Sequence, residues 1–189
     1  MSKKILLAGV IAGLVLFVWE SVAHLALPLG EAGVRGLDNE AAVLASLKEN
    51  VKQDGFYFFP NPFPAPGSPE KQKQVEQMML AGPTGIMVVH PNGDPGLTAT
   101  RLILQFVFDV LSMMVAAIVL SQAVMVKGVG GRVGLVAMLA LLPTLRTELP
   151  QWNWYGFPTV FTAAQFTLHL VGFVLGGFVL AKMISASRD

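Results

Sequence analysis

The 189-residue sequence contains no cysteine and few charged residues. The missing cysteine excludes disulfides, thiolate catalysis and cysteine-ligated zinc or iron–sulfur clusters. Charged residues make up 13% of the chain and hydrophobic residues 53%, whereas soluble domains carry about 25% charged residues. The net charge of +1 is too small to indicate nucleic acid or an acidic substrate as a partner. This composition predicts a membrane protein.

The sequence also lacks the short motifs of common hydrolytic and nucleotide-binding enzymes. It has no G-x-S-x-G nucleophile elbow, no H-E-x-x-H zinc motif and no phosphate-binding glycine loop. The glycine-rich residues 128–131 separate two hydrophobic runs and are typical of a tight turn. These absences favour a role other than catalysis.

Four hydrophobic runs are candidates for transmembrane helices: residues 5–27, 101–126, 133–149 and 158–182. The first run could instead be a signal peptide, because Lys3 and Lys4 precede it and Ser21-Val22-Ala23 resembles a cleavage site. Its length of 23 residues exceeds the roughly 7–15 residues of a signal-peptide core and favours an uncleaved helix. In the third run, Arg146 and Glu148 are expected at or near the outer interface.

Basic residues fall on one side of this predicted topology. The flanks that share that side contain Lys3, Lys4, Lys127, Arg132, Lys182 and Arg188, with Asp189 as their one acid. The long segment of residues 29–100 carries five basic and eight acidic residues. By the positive-inside rule both termini are cytoplasmic and residues 29–100 lie outside, in a bacterial-type inner membrane. Before the fourth run, Trp152, Trp154 and Tyr155 are predicted interface anchors on the outer side.

The outer segment, residues 29–100, is patterned as a small α/β cap. The pattern predicts two helices, at residues 39–52 and 69–81, and two short strands, at residues 56–59 and 85–89. Asp38 is the expected N-cap of the first helix, and Ser68 the expected N-cap of the second, with Pro69 at its first position. The predicted fold class is an all-α membrane protein, a four-helix bundle with this cap inserted between helices 1 and 2 on the non-cytoplasmic side.

Polar residues recur on one face of three of the four spans. These residues are Glu20 and His24 in the first, Gln105, Asp109 and Ser112 in the second, and Gln165 and His169 in the fourth. Counted at 1.5 Å per residue, the ionisable members lie in the outer half of the membrane. A charged group at depth costs on the order of 3 kcal/mol, so these groups are either functional or paired. Arg101 and Arg146, at the outer ends, are the expected ion-pair partners.

Glycines mark the inner half of two spans. Gly9 and Gly13 in the first span and Gly172 and Gly176 in the fourth are spaced as helix-packing pairs. We expect spans 1 and 4 to approach closely at these glycines and to separate toward the outside. The separation would form a polar cavity that opens outward under the cap.

Three hypotheses for function follow. The first is a ligand-binding or accessory component of a membrane complex, with the lipid bilayer and another membrane protein or a second copy as partners. The second is a metal- or cofactor-binding protein, in which His24, His169, Glu20 and Asp109 supply the ligands. The third is a proton-coupled transporter, which would require an oligomer because one chain has four spans and no inverted repeat. The sequence specifies no cofactor.

Overall fold

The computed structural model describes residues 2–63 and 69–184. The elements follow in the order α1 (Lys3–Leu25), α2 (Glu40–Asn50), β1 (Gly55–Phe59), α3 (Pro69–Ala81), β2 (Gly85–Val89), α4 (Ala99–Gln122), α5 (Val129–Leu139), α6 (Leu141–Pro143), a π-helical segment (Thr144–Glu148), α7 (Leu149–Tyr155) and α8 (Thr159–Met183). The predicted N-cap Ser68 and the C-terminal flank residues Arg188 and Asp189 lie outside the described residues.

Within residues 2–63 and 69–184, four helices are long and apolar enough to cross a membrane. We call them span 1 (Lys3–Leu25), span 2 (Ala99–Gln122), span 3 (Val129–Tyr155, from α5 through α7) and span 4 (Thr159–Met183). Large apolar side chains such as Leu7, Leu14 and Ile103 remain about half exposed along them, as expected of helices that bury their outer face in lipid. The predicted class of a multi-pass helical membrane protein is confirmed at this level.

The ends of the spans follow from local capping. Ser2 Oγ accepts from the Ile5 amide at 3.3 Å at the start of span 1, and Thr98 Oγ1 accepts from the Arg101 amide at 3.3 Å before span 2. Gly156, in the left-handed conformation with φ +70°, ends span 3. We call the end of the bundle where span 1 ends and span 2 begins the distal end, and the opposite end the proximal end.

Span 3 is longer than predicted and is not a regular α-helix. Pro143 lacks the amide that would continue the α-helical hydrogen bonds, and a π-helical turn follows it directly, in which the Leu149 amide bonds to the Thr144 carbonyl five residues back. The wider turn places Glu148 inside the bundle, 6% exposed. The sequence pattern assumed α-helical spacing and so did not indicate that Glu148 is buried between the helices.

Spans 1 and 2 pack as antiparallel neighbours through small residues. A Cβ atom on Gly13 would lie 2.5 Å from the Val110 Cα, and one on Gly9 would lie 3.1 Å from the Met114 Cα. The distance at Gly13 leaves no room for a side chain, and the one at Gly9 is tighter than an ordinary van der Waals contact, so the close approach of the two backbones depends most on Gly13. Gly9 and Gly13 thus face span 2, and not span 4 as expected.

The glycines of span 4 also differ from the expectation. Gly172 contacts Leu16 of span 1, whereas a Cβ on Gly176 would lie 2.5 Å from Met113 Sδ of span 2. The expected face-to-face glycine pairs of spans 1 and 4 are therefore not formed. Each glycine instead accepts a large side chain of its neighbour, as ridges of one helix fill grooves of another. The fully buried core lies between these contacts and includes Ala8, Ala12, Met113, Ala116, Leu120, Val136 and Leu180.

Residues Arg35–Gly96 form a second compact unit. Its β1 and β2 pair antiparallel, with Gly55 opposite Val89 and Phe59 opposite Gly85. No described residue of this unit is buried, in keeping with its small size. Asn39 caps α2, accepting from the Ala42 amide at 3.4 Å. The predicted cap Asp38 is wrong by one position, because the helix begins at Glu40.

Candidate functional site

A cavity of about 470 Å³ with apolar walls and a few polar groups lies between the four spans. Each span contributes to its lining, which consists of Leu16, Glu20, Gln105, Phe108, Asp109, Ser112, Val115, Leu139, Leu142, Pro143, His169 and Phe173. We call it the four-span cavity. Three of the predicted site residues, Glu20, Asp109 and His169, therefore lie around one space. The sequence predicts these three positions, because polar residues recur there at helical spacing.

Gln105 joins the two carboxylates of the cavity. Its amide nitrogen donates to Glu20 Oε2 at 2.9 Å and to Asp109 Oδ1 at 2.9 Å. Both amide hydrogens are thereby used, one across the interface of spans 1 and 2 and the other along span 2. Because Gln105 and Asp109 are four residues apart, they lie on the same helix face. The bridge holds two acids close together without any basic group between them.

Asp109 is the most buried polar residue of the cavity. It is 3% exposed, and its second oxygen, Oδ2, has no hydrogen-bond partner among the described residues. An unpaired carboxylate oxygen in a low-dielectric interior is costly unless it meets a proton donor or a cation. Among the described residues the lining contains no lysine or arginine. Its one ionisable nitrogen base, His169, lies against Glu148.

His169 makes a further contact with a carboxylate that the sequence did not indicate. His169 Nδ1 lies 2.6 Å from Glu148 Oε1, and the two side chains are 28% and 7% exposed. The angles at this contact are not those of a hydrogen bond, so its attraction is ionic when the imidazole is protonated. Glu148 reaches His169 from the π-helical turn. Helical periodicity alone could not have found it.

A second pocket of about 350 Å³ lies nearer the distal end. We call it the distal pocket; it is lined by Phe17, Glu20, Ser21, His24, Leu25, Leu97, Arg101, Leu102 and Gln105. Glu20 and Gln105 line both this pocket and the four-span cavity. Their hydrogen bond therefore lies where the two spaces meet.

The remaining predicted site residues are more dispersed. His24 is exposed in the distal pocket, and its Nδ1 donates to the Glu20 carbonyl oxygen at 2.8 Å. Arg101 lines the same pocket, whereas Arg146 is exposed and lines neither space. Gln165 is half-buried and lines neither. The two predicted ion-pair partners thus do not enter the four-span cavity.

The predicted interface anchors lie on α7, the last helix of span 3. Trp152, Trp154 and Tyr155 are all exposed there, and the Trp152 indole nitrogen donates to Thr159 Oγ1 at 3.0 Å. This bond connects the end of span 3 to the first turn of span 4. Exposed indole and phenol rings at a span end are typical of a headgroup-level position.

The histidines and carboxylates do not assemble into a metal site in the part of the chain that the structure describes, where no group of three or more such side chains could hold a metal ion. His24 lines the distal pocket, whereas His169 lines the four-span cavity. Two of the four ligands expected for a metal centre therefore lie in different spaces. Comparison with family models, curated proteins and solved structures found no match.

Proposed function

We propose that the protein binds a small ligand in the four-span cavity, through a cationic or hydrogen-bond-donating group, and serves as a ligand-binding or accessory component of a membrane complex. In this proposal it is a multi-pass protein of a bacterial-type inner membrane with cytoplasmic termini. The distal end and the Arg35–Gly96 unit belong to the outer side. The basic flanks of the spans support this orientation.

The observation that carries the proposal is the unpartnered Oδ2 of Asp109 beside a cavity whose described lining contains no lysine or arginine. Close-packed interiors rarely leave a buried acceptor both unpaired and next to open space. A volume of about 470 Å³ falls in the range of small-molecule sites, roughly 300–1,000 Å³. A ligand that brings a hydrogen-bond donor would satisfy Asp109 Oδ2, and one that brings a positive charge would also offset the negative charge of the two carboxylates.

A proton-coupled transporter is the second candidate, because the bonds from Glu20 through Gln105 to Asp109 connect the distal pocket with the four-span cavity. Transport also requires a route to the proximal end. There the packing includes the fully buried Met113, Ala116 and Leu120. The apolar packing on that side favours binding over passage.

The test is thermal unfolding of the purified full-length protein in detergent, with ethylammonium as the probe. We expect ethylammonium to raise the Tm of the wild type, since saturation at about 100 times Kd stabilises a protein by ~2.7 kcal/mol. The substitution Asp109→Asn should remove this shift.

Glu31→Gln is the matched control, because Glu31 is an exposed carboxylate of the same compact unit as the spans. It should retain the wild-type shift. An equal shift for the wild type and Asp109→Asn, or no shift in the wild type, would overturn the proposal.

A further inference from the structure

The four-span cavity opens on the surface of the bundle between spans 2 and 3. Three of its lining residues, Phe108 and Val115 on span 2 and Leu142 on span 3, are more than half exposed. The interface of spans 1 and 2 is closed by contrast, because Gly13 packs against the backbone of Val110. We call the gap bordered by Phe108, Ser112, Val115 and Leu142 the lateral opening.

The lateral opening lies near the middle of span 2. Ser112 is 13 residues beyond Ala99 in a helix of 24 residues, which places it about 20 Å along a helix of roughly 36 Å at 1.5 Å per residue. The hydrocarbon core of a bilayer is about 30 Å thick. An opening at this height would face acyl chains, and its exposed border of phenylalanine, valine and leucine suits that environment.

The distal pocket is a poorer route for a cation. Glu20 and Gln105 line both this pocket and the four-span cavity, so a cation that enters there meets the Glu20 carboxylate before it reaches Asp109. The hydrogen bond of Gln105 to Glu20 also lies between this pocket and the four-span cavity. A ligand dissolved in the bilayer would reach Asp109 without crossing this bond.

We infer that the ligand is a lipid-soluble amine, with an apolar chain and a cationic or N–H-donating head, that reaches Asp109 from the bilayer through the lateral opening. The inference rests on the proposed binding function and adds the chemical class of the ligand and its path. The head is matched by the acceptor Oδ2 of Asp109. The chain is matched by the exposed apolar side chains around Ser112.

The test uses the full-length protein in phosphatidylcholine nanodiscs and a photoreactive probe, octylamine with a diazirine at the end of its chain. After irradiation, mass spectrometry maps the adducts. We expect them within residues 108–115 of span 2 and 139–143 of span 3, and excess octylamine should displace them. Asp109→Asn should reduce these adducts by about tenfold or more, as expected when a buried charged partner is lost.

Ser112→Trp tests the path, because an indole in the lateral opening would block it. The matched control is Leu111→Trp, since Leu111, like Ser112, is exposed on span 2 but lines no part of the cavity. Ser112→Trp should lose the displaceable adducts, and Leu111→Trp should retain them. Val115→Trp takes the place of Ser112→Trp if the latter does not fold.

The outcomes separate the inference from the proposed function. Asp109-dependent adducts in the distal pocket, or unchanged adducts in both blocking variants, would overturn the lateral path while binding at Asp109 stands. Adducts that persist in Asp109→Asn would overturn the inference. If ethylammonium also fails to shift the Tm, the proposed function falls with it.

Discussion

Two histidine–carboxylate pairs of this chain differ mainly in burial. His169 and Glu148 lie 2.6 Å apart with side chains 28% and 7% exposed. His90 and Asp54 lie 3.1 Å apart with side chains 40% and 66% exposed. Water screens the attraction between His90 and Asp54. His169 and Glu148 lie in the bundle interior, where removal of one partner leaves the other buried without a counter-charge.

His169→Ala should therefore destabilise the protein by ~3 kcal/mol, because it leaves the Glu148 carboxylate buried and alone. The exposed counterpart His90→Ala should cost less than about 1 kcal/mol. Chemical denaturation of the detergent-solubilised protein measures both. Adding Glu148→Gln to His169→Ala should recover part of the loss, since the stranded charge disappears. Equal costs for the two histidine variants would contradict this account.

Arg132 shows that a charge counted for topology can have a structural role. Its guanidinium is buried and donates to the Ile184 carbonyl at 3.1 Å and to the Val126 carbonyl at 3.4 Å. A cation beside the last carbonyls of span 4 stabilises that helix end. Arg132 thus connects the start of span 3 to the end of span 4, a role that its place in the sequence between two hydrophobic runs does not reveal.

At the level of single elements, two glycines within helices have opposite surroundings. A Cβ on Gly13 would lie 2.5 Å from the Val110 Cα, whereas a Cβ on Gly134 in α5 would meet nothing within 4 Å. Gly13→Ala should cost about 1–3 kcal/mol by pushing spans 1 and 2 apart. Gly134→Ala should stabilise the protein by ~0.5–1 kcal/mol through helix propensity.

Thermal unfolding of the two variants beside the wild type measures this difference. The comparison is internal, because both changes add one methyl group to a helix. A Tm of Gly13→Ala equal to or above that of Gly134→Ala would show that spans 1 and 2 do not approach as closely as described.

The sequence predicts which residues form the spans better than it predicts which spans pack against each other. Length and hydropathy place the four long helices correctly, because a helix that crosses a bilayer needs a run of apolar residues. The stripe spacing also selects Glu20, Asp109 and His169. Helical periodicity defines the face of a helix but not its neighbour, so the contacts of Gly9 and Gly13 with span 2 were missed. Glu148 was missed because the π-helical turn after Pro143 changes the spacing.

The whole chain divides into two compact units that differ in how many of their side chains are buried. The unit of Met1–Val34 and Leu97–Asp189 contains the spans, and the unit of Arg35–Gly96 contains the sheet, α2 and α3. Buried side chains are found in the first unit alone among the described residues. A chain segment of this size is only marginally stable by itself, because it can bury little apolar surface. The polar chemistry of the cavity therefore belongs to the larger unit.

The orientation of the whole molecule can be tested because the chain has no cysteine of its own. Asn92→Cys introduces an exposed thiol in the Arg35–Gly96 unit, and Met125→Cys introduces one in the turn between spans 2 and 3. Neither change alters the basic residues on which the positive-inside argument depends.

A membrane-impermeant maleimide applied to intact spheroplasts should label Asn92→Cys, because its unit is expected outside. It should label Met125→Cys only after the membrane is permeabilised, and the cysteine-free wild type should stay unlabelled in both states. The reverse pattern would place the basic flanks outside. The distal pocket would then open to the cytoplasm, whereas the lateral opening, near the middle of span 2, would still face the bilayer.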